Sequence, residues 1–231
     1  MTLIGVRPER IVMAYPTVDA KRFRPGLPSD DLRASIGLQA EQWLVPSVGR
    51  LQRRKGFDQV IRALPRLVRR GIDVHHPIVG IAEDWDYLHG VARELGVEDR
   101  LHQLGQVAPA DLPRWYNARD LFAMPNHDIE EDTEGFGVVY LQATAYARPA
   151  IAGRAGGAGS AVEDGVNGLR VDGIATASIE DGIAPLLLDD DFRRHIGDAG
   201  RTRSVAGRTR SVDGFTPQKR VDSVRRVIGS A

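Results

Sequence analysis

The chain contains no cysteine. Disulfides, thiolate zinc sites and cysteine nucleophiles are therefore excluded, and the absence suits a cytoplasmic protein. It also lacks any excess of charge, since 31 Lys and Arg balance 31 Asp and Glu. The overall field thus predicts no nucleic-acid partner and no pull toward an anionic membrane. No apolar run approaches the roughly 20 residues of a membrane span. The opening MTLIGVRPER, charged by Arg7, lacks the apolar core of a secretory signal. Peripheral membrane association stays compatible with all of this. Also missing are the P-loop ending GK[ST], the zinc-protease HExxH and the hydrolase GxSxG, which disfavours ATP hydrolysis of the P-loop kind, zinc proteolysis and a serine elbow.

What is present is an ordinary soluble composition, 42% hydrophobic and 27% charged over 231 residues, enough for one large domain or two small ones. Short apolar runs alternate with helical patterns. LVPSVG (44–49), VHHPIVG (74–80), RLHQLG (100–105), DLFAMP (120–125), RPAIAG (148–153) and GLRVDG (168–173) read as strands. Helices are predicted over 57–71, 84–96, 109–120, 137–147, 176–190 and 191–206. In the first of these, Val60, Ile61, Leu64 and Leu67 share a face, and Pro65 is expected to kink it. The alternation predicts a doubly wound, Rossmann-like α/β domain with a parallel sheet over about 41–200. Residues 1–40, rich in proline and mixed charge, read as an extended connector. Residues 201–231 read as an arginine-rich helical tail, in which GRTRSV at 200–205 recurs at 207–212. A solvated, locally duplicated segment explains that repeat more simply than a functional face does.

In such sheets ligands sit outside the carboxyl ends of the strands. That rule selects a few loops. VGRLQRRKG (48–56) sets Arg50, Arg53, Arg54 and Lys55 between Gly49 and Gly56, a supply of cations suited to phosphate or simply to water. EGFGVVYLQA (134–143) puts Glu134 before a Gly-Phe-Gly turn and Gln142 eight places on. Its glycines permit close backbone approach, its amides favour an anion, and Glu134 accepts from hydroxyls. That combination suits a ligand carrying both hydroxyls and phosphate; alternatively, Glu134 serves only the helix terminus. GRAGGAGSAVEDGVNG (153–168) is glycine-rich without a nucleotide fingerprint. NHDIEEDTEG (126–135) gathers Asp128, Glu130, Glu131 and Asp132 without EF-hand spacing, so a solvated loop is favoured over a cation site. His75 and His76 point to opposite faces of one strand, which suits structural roles.

The ordered series VGRLQRRKG, PIVG, RLHQLGQV, DLFAMPN and EGFGVVYLQATAYARPAIAGRAGGAGSAVEDGVNGLRV resembles the C-terminal, donor-binding domain of family 4 retaining glycosyltransferases of the GT-B architecture. The resemblance spans about residues 3–173, and MTLIGVRPERIVMAYPTVDAKRF resembles the segment joining that family's two domains. It implies that Arg50 and Lys55 neutralise a donor diphosphate and that Glu134 binds hydroxyls of the transferred sugar, making these three the expected catalytic residues. It implies that the amides of Phe136, Gly137 and Val138 touch sugar and phosphate, that Gln142 faces the ribose, that Gln106 and Val107 flank the nucleobase, and that Gly49 belongs to the donor site. Two departures stand out: Gln142 replaces a glutamate, and Gly159-Ser160 replaces the usual proline and glutamate. Without its charge, Gln142 forfeits about 1 kcal/mol of hydrogen-bond strength toward the ribose.

The expected function is transfer of a hexosyl group, with retention, from a GDP-mannose or UDP-glucose type donor to a lipid or polysaccharide acceptor. No metal or other cofactor is expected, because the basic pair supplies the charge. The family's acceptor domain has no counterpart in the chain, so activity is expected to need an N-terminal-domain partner, and self-association would also cover the interdomain face. The alternative is a degenerate, non-catalytic nucleotide-sugar-binding or scaffolding module.

Overall fold

The computed structural model describes residues 15–81 and 84–206. The first 14 residues of the expected connector, and the tail from residue 207 on with the second GRTRSV copy, lie outside these. Within the stretch read as extended, a short helix α1 occupies Asp30–Ser35. The strands are β1 (Trp43–Leu44), β2 (Ser47–Val48), β3 (Val74–Val79), β4 (Leu101–Gly105), β5 (Phe122–Met124), β6 (Ala150–Gly153) and β7 (Leu169–Val171). The longer helices are α2 (Phe57–Arg69), α3 (Trp85–Glu94), α4 (Leu112–Ala118), α5 (Val138–Thr144), α6 (Thr176–Leu188) and α7 (Asp190–Arg201).

All paired strands run parallel. β3 lies between β1/β2 and β4, while β6 lies between β5 and β7. The two groups join at β1/β2 and β5, where Asp120 N donates to Leu44 O at 2.9 Å and Ala123 N to Pro46 O at 3.1 Å. Asp120 Oδ2 in turn accepts from Leu44 N at 2.8 Å. The spatial order is therefore β4, β3, β1/β2, β5, β6, β7. The chain winds outward one way through β3 and β4, then the other way from β5. That reversal is a switch point, and it opens a crevice at the carboxyl ends of β2 and β5.

Helix α2 forms because Val60, Ile61, Leu64 and Leu67 all reach zero exposure on one face, each burial contributing roughly 1.5–3 kcal/mol. That is enough to carry the helix through Pro65, whose missing N–H removes one bond. α2 packs on β3 and β5 and against α3 and α6; Arg66 and Arg70 both pair with Glu180 of α6.

The strand expected over 44–49 is broken in two. β1 pairs with β3 up to Leu44↔His75, and β2 resumes at Ser47↔Ile78. Pro46 and Pro77 fall in the gap. Val45 N still donates to His75 O at 2.9 Å. The parallel ladder would return Val45 O to the amide of residue 77, and a proline has no such donor. His76 Nδ1 takes its place, 2.6 Å from Val45 O. The ring is fully buried and its proton affinity falls to about 4, because burial disfavours the cation. A neutral Nδ1–H tautomer meets both demands.

His75 has a comparable structural role. Gln42 Nε2 reaches Asp73 Oδ2 at 2.9 Å and His75 Nε2 at 3.1 Å, and His75 Nδ1 lies 3.0 Å from His102 Nε2. With both rings neutral, Gln42 donates to His75 and His75 to His102. Burial lowers the pKa of His75, and takes that of His102 to about 4.

Two outcomes follow from these rings. Below their ordinary pKa of 6.5 the unfolded histidines take up protons that the folded ones refuse until about pH 4. Stability therefore falls as pH drops through that window; a denaturant midpoint unchanged between pH 7 and pH 5 would contradict it. Second, His76→Leu strands Val45 O and lowers stability by about 1–3 kcal/mol. Adding Pro77→Val restores an amide donor and recovers most of that loss in urea unfolding.

Candidate functional site

The basic loop and the Glu134 turn meet at the switch-point crevice. A single 3₁₀ turn, Arg53–Lys55, follows β2. Its three cations diverge. Arg53 stacks over Tyr87, its guanidinium carbon 3.3 Å from the ring centroid, and pairs with Asp84 at 3.4 Å. Arg54 reaches Glu134 Oε2 through Nη1 at 3.1 Å and Asp132 through Nε at 2.8 Å. Lys55 Nζ reaches the same Glu134 oxygen at 3.0 Å. The side chains of Arg54, Lys55 and Glu134 are only 11–12% exposed, so this is a shielded cluster rather than a surface pair. Burial raises the Glu134 pKa, but Lys55 and then Arg54 more than offset it and hold the carboxyl below its ordinary value. Glu134 is therefore ionised, and its second oxygen is available to a hydroxyl.

Lys55 also lies across Gly49: a Cβ there would stand 3.4 Å from Lys55 Cδ. Gly49, Lys55 and Glu134 are thus brought together. Arg50 is exposed at the crevice mouth, and its side chain makes no hydrogen bond or ion pair among the described residues. Gln106 and Val107 follow β4 on the same carboxyl edge but two strands from the switch point; Gln106 is exposed and Val107 half-buried.

The turn after Glu134 is fixed from two sides. Gly137 has φ +77°, and a Cβ there would fall 2.4 Å from the Tyr140 ring, so only glycine fits. Phe136 is half-buried with its ring 5.6 Å from that of Tyr15, and Val138 is exposed at the start of α5. From the other side, the glycine-rich loop forms a 3₁₀ turn over Gly156–Ser160 whose Gly157 N donates to Glu134 O at 2.6 Å. The stretch that matched no nucleotide fingerprint is therefore a backbone brace for the turn. Ser160 O accepts from Arg203 at 3.0 Å.

Gln142 Oε1 accepts from Tyr116 OH at 3.1 Å. Burial holds that phenol protonated, so it is a donor. The carboxamide thus has one partner inside the fold, one that a carboxylate would have bound more strongly. Sequence reasoning did not find Tyr116, Tyr15 or the pairing of Arg54 with Glu134. Arg54 was visible only as one cation in a basic run. In the acidic loop, Asp132 is taken by Arg54, and Asp128 accepts from Thr133. Among the described residues no three His, Asp or Glu side chains form a metal-holding group. Beside the cluster, a hollow of about 300 Å³ opens between Asn126–Asp128, Arg154–Ala155 and Asp172–Ile174, at the ends of β5, β6 and β7. No described helix is long and apolar enough to cross a membrane.

Known proteins resemble this chain in sequence and in fold. The model of the family "Glycosyl transferases group 1" matches residues 28–203. The chain is 38% identical over 189 residues to the GDP-mannose-dependent alpha-(1-6)-phosphatidylinositol monomannoside mannosyltransferase of Mycobacterium tuberculosis, covering 80% of this chain and 49% of that protein. It is 32% identical over 240 residues to D-inositol 3-phosphate glycosyltransferase 1 of Catenulispora acidiphila, covering 100% of this chain and 54% of that one. It thus spans about half the length of these relatives. Among solved structures, Anabaena Alr3699/HepE in complex with UDP-glucose superposes with a TM-score of 0.80 at 26% identity, over 94% of this chain and 57% of that one. The C-terminal domain of the group 1 protein LpcC from Francisella tularensis superposes with a TM-score of 0.68 at 25% identity, over 80% of this chain and 94% of that domain.

The brace has a measurable signature. A Cβ on Gly157 would stand 1.9 Å from Gly135 O, so Gly157→Ala displaces the Glu134 turn and destabilises by about 1–3 kcal/mol. Gly90→Ala, inside α3 with nothing within 4 Å, stabilises by about 0.5–1 kcal/mol. Urea unfolding of the two variants separates brace from bystander; equal effects would remove the brace.

Proposed function

The chain belongs to the group 1 glycosyl transferases, and from that membership we propose that it is the nucleotide-sugar-binding half of a retaining hexosyltransferase. The observation that carries this reading is the cluster of Lys55, Arg54 and Glu134 at the switch-point crevice. It sets cations for a diphosphate beside an ionised acceptor for sugar hydroxyls. A domain-for-domain likeness supports the half-enzyme assignment, because the chain covers 94% of a structure described as a C-terminal domain. The GDP-mannose-dependent relative at 38% identity favours a GDP-mannose type donor; the UDP-glucose complex of a structural neighbour keeps UDP-glucose as the competitor.

In this reading Arg50 and Lys55 take up the negative charge that develops on the departing nucleoside diphosphate. Glu134 and the amides of Phe136, Gly137 and Val138 orient the sugar. Gln142 faces the ribose, Gln106 and Val107 flank the base, and Gly49 lets the diphosphate approach the backbone. The sugar's anomeric bond to phosphate breaks, and an acceptor hydroxyl of a lipid or polysaccharide attacks from the same face. No metal is needed, since the basic pair supplies the charge. The acceptor face comes from an N-terminal-type domain, and a lipid acceptor brings the assembly to a membrane surface. The competing reading, a degenerate binding module, is favoured by the carboxamide of Gln142, already engaged by Tyr116.

Calorimetric titration with GDP, UDP, GDP-mannose and UDP-glucose tests this. One nucleotide sugar binds, and Arg50→Ala with Lys55→Ala weakens it about 100-fold, the loss of two charge-assisted contacts at roughly 1.5 kcal/mol each. Binding that survives the double variant moves the donor site elsewhere. A folded chain that binds none of the four supports the degenerate module.

A further inference from the structure

Arg54 ties the acidic loop at three points. Its backbone oxygen accepts from His127 N at 2.8 Å, where the loop leaves β5. Its guanidinium meets Asp132 at 2.8 Å and Glu134 at 3.1 Å, where the loop ends. Gln52 Oε1, 3.3 Å from Nη2, orients it from behind. The side chain is 11% exposed. Arg53 cannot substitute, because it is committed to Tyr87 and Asp84.

Lys55 and Arg54 share one oxygen of Glu134, and this sharing creates a conflict. If Lys55 is to meet a diphosphate, its ammonium must turn away from Glu134. A shielded carboxylate stripped of its only cation is strongly penalised. With a second cation already in place, Lys55 leaves without that penalty.

We propose that Arg54 is a positioning residue: the standing counter-ion of Glu134, which releases Lys55 to the donor diphosphate and keeps the Glu134 carboxylate aimed at the sugar hydroxyls. This role rests on the nucleotide-sugar reading above and adds to it a residue that need not touch the donor. It also explains why Asp132 lies on the far side of the guanidinium. Asp132 balances the remaining charge of Arg54, so that the guanidinium stays with the loop instead of following Lys55 toward phosphate.

The test is a cycle of four full-length chains titrated with GDP and with UDP: wild type, Arg54→Met, Glu134→Gln and the double variant, each first shown to be folded by its thermal transition. In Arg54→Met, Lys55 becomes the only partner of Glu134, and nucleotide affinity falls about tenfold. In Glu134→Gln no carboxylate charge restrains Lys55, and affinity for the sugar-free nucleotide equals or exceeds that of wild type. In the double variant the tenfold loss disappears. A residue needed only for folding, or one touching phosphate itself, gives a double variant as weak as Arg54→Met, and that result overturns the proposal. Unchanged binding in Arg54→Met overturns it equally. If wild type binds neither nucleotide, the donor-site reading itself fails, and the role of Arg54 falls with it.

Discussion

One shielded carboxylate organises the carboxyl edge of this sheet. Glu134 is ionised because two cations from the loop after β2 offset the penalty of its burial. Its backbone is held separately by the loop after β6, through Gly157. Three loops that are far apart in sequence therefore converge on one residue. They can do so because the strand order reverses between β2 and β5, which opens a crevice at the carboxyl ends of those strands. Removing the charge from Glu134 would leave two guarded cations facing each other, and removing the cations would leave a stranded anion. The geometry is kept by electrical balance as much as by packing.

Much of this was legible in the sequence. Strand and helix alternation gave the parallel sheet, and the family-like order of motifs gave the Rossmann-like architecture. The rule that ligands sit at the carboxyl ends of strands points to the loops after residues 49, 125 and 153, which meet at Glu134. What escaped depends on register and local winding. The break between β1 and β2 arises because Pro46 and Pro77, 31 positions apart, become neighbours in the ladder; a single sequence does not show that alignment. The run Arg53-Arg54-Lys55 reads as one basic patch. In a 3₁₀ turn, however, successive residues are about 120° apart, so each side chain faces a different element. Pro65 does not end α2, because four fully buried residues outweigh one missing hydrogen bond.

The glycine-rich loop shows how composition can mislead. A run of glycines next to a candidate nucleotide site suggests phosphate contact. Here Gly156 and Gly157 are small because the backbone of Glu134 and Gly135 lies directly against them. In this loop the glycines serve the approach of backbone to backbone, and only the contacts reveal it.

The repair at the sheet's centre has an evolutionary consequence. His76 supplies a proton that Pro77 cannot, and each residue makes sense only beside the other. A lineage that loses the imidazole first passes through a weakened intermediate. One that loses the proline first makes the imidazole redundant and free to drift. The order of substitution is therefore not symmetric: the proline is the gate, and the histidine is entrenched for as long as the proline remains. Two adjacent positions in a buried strand thus behave as one heritable unit, whose history runs more easily in one direction than in the other.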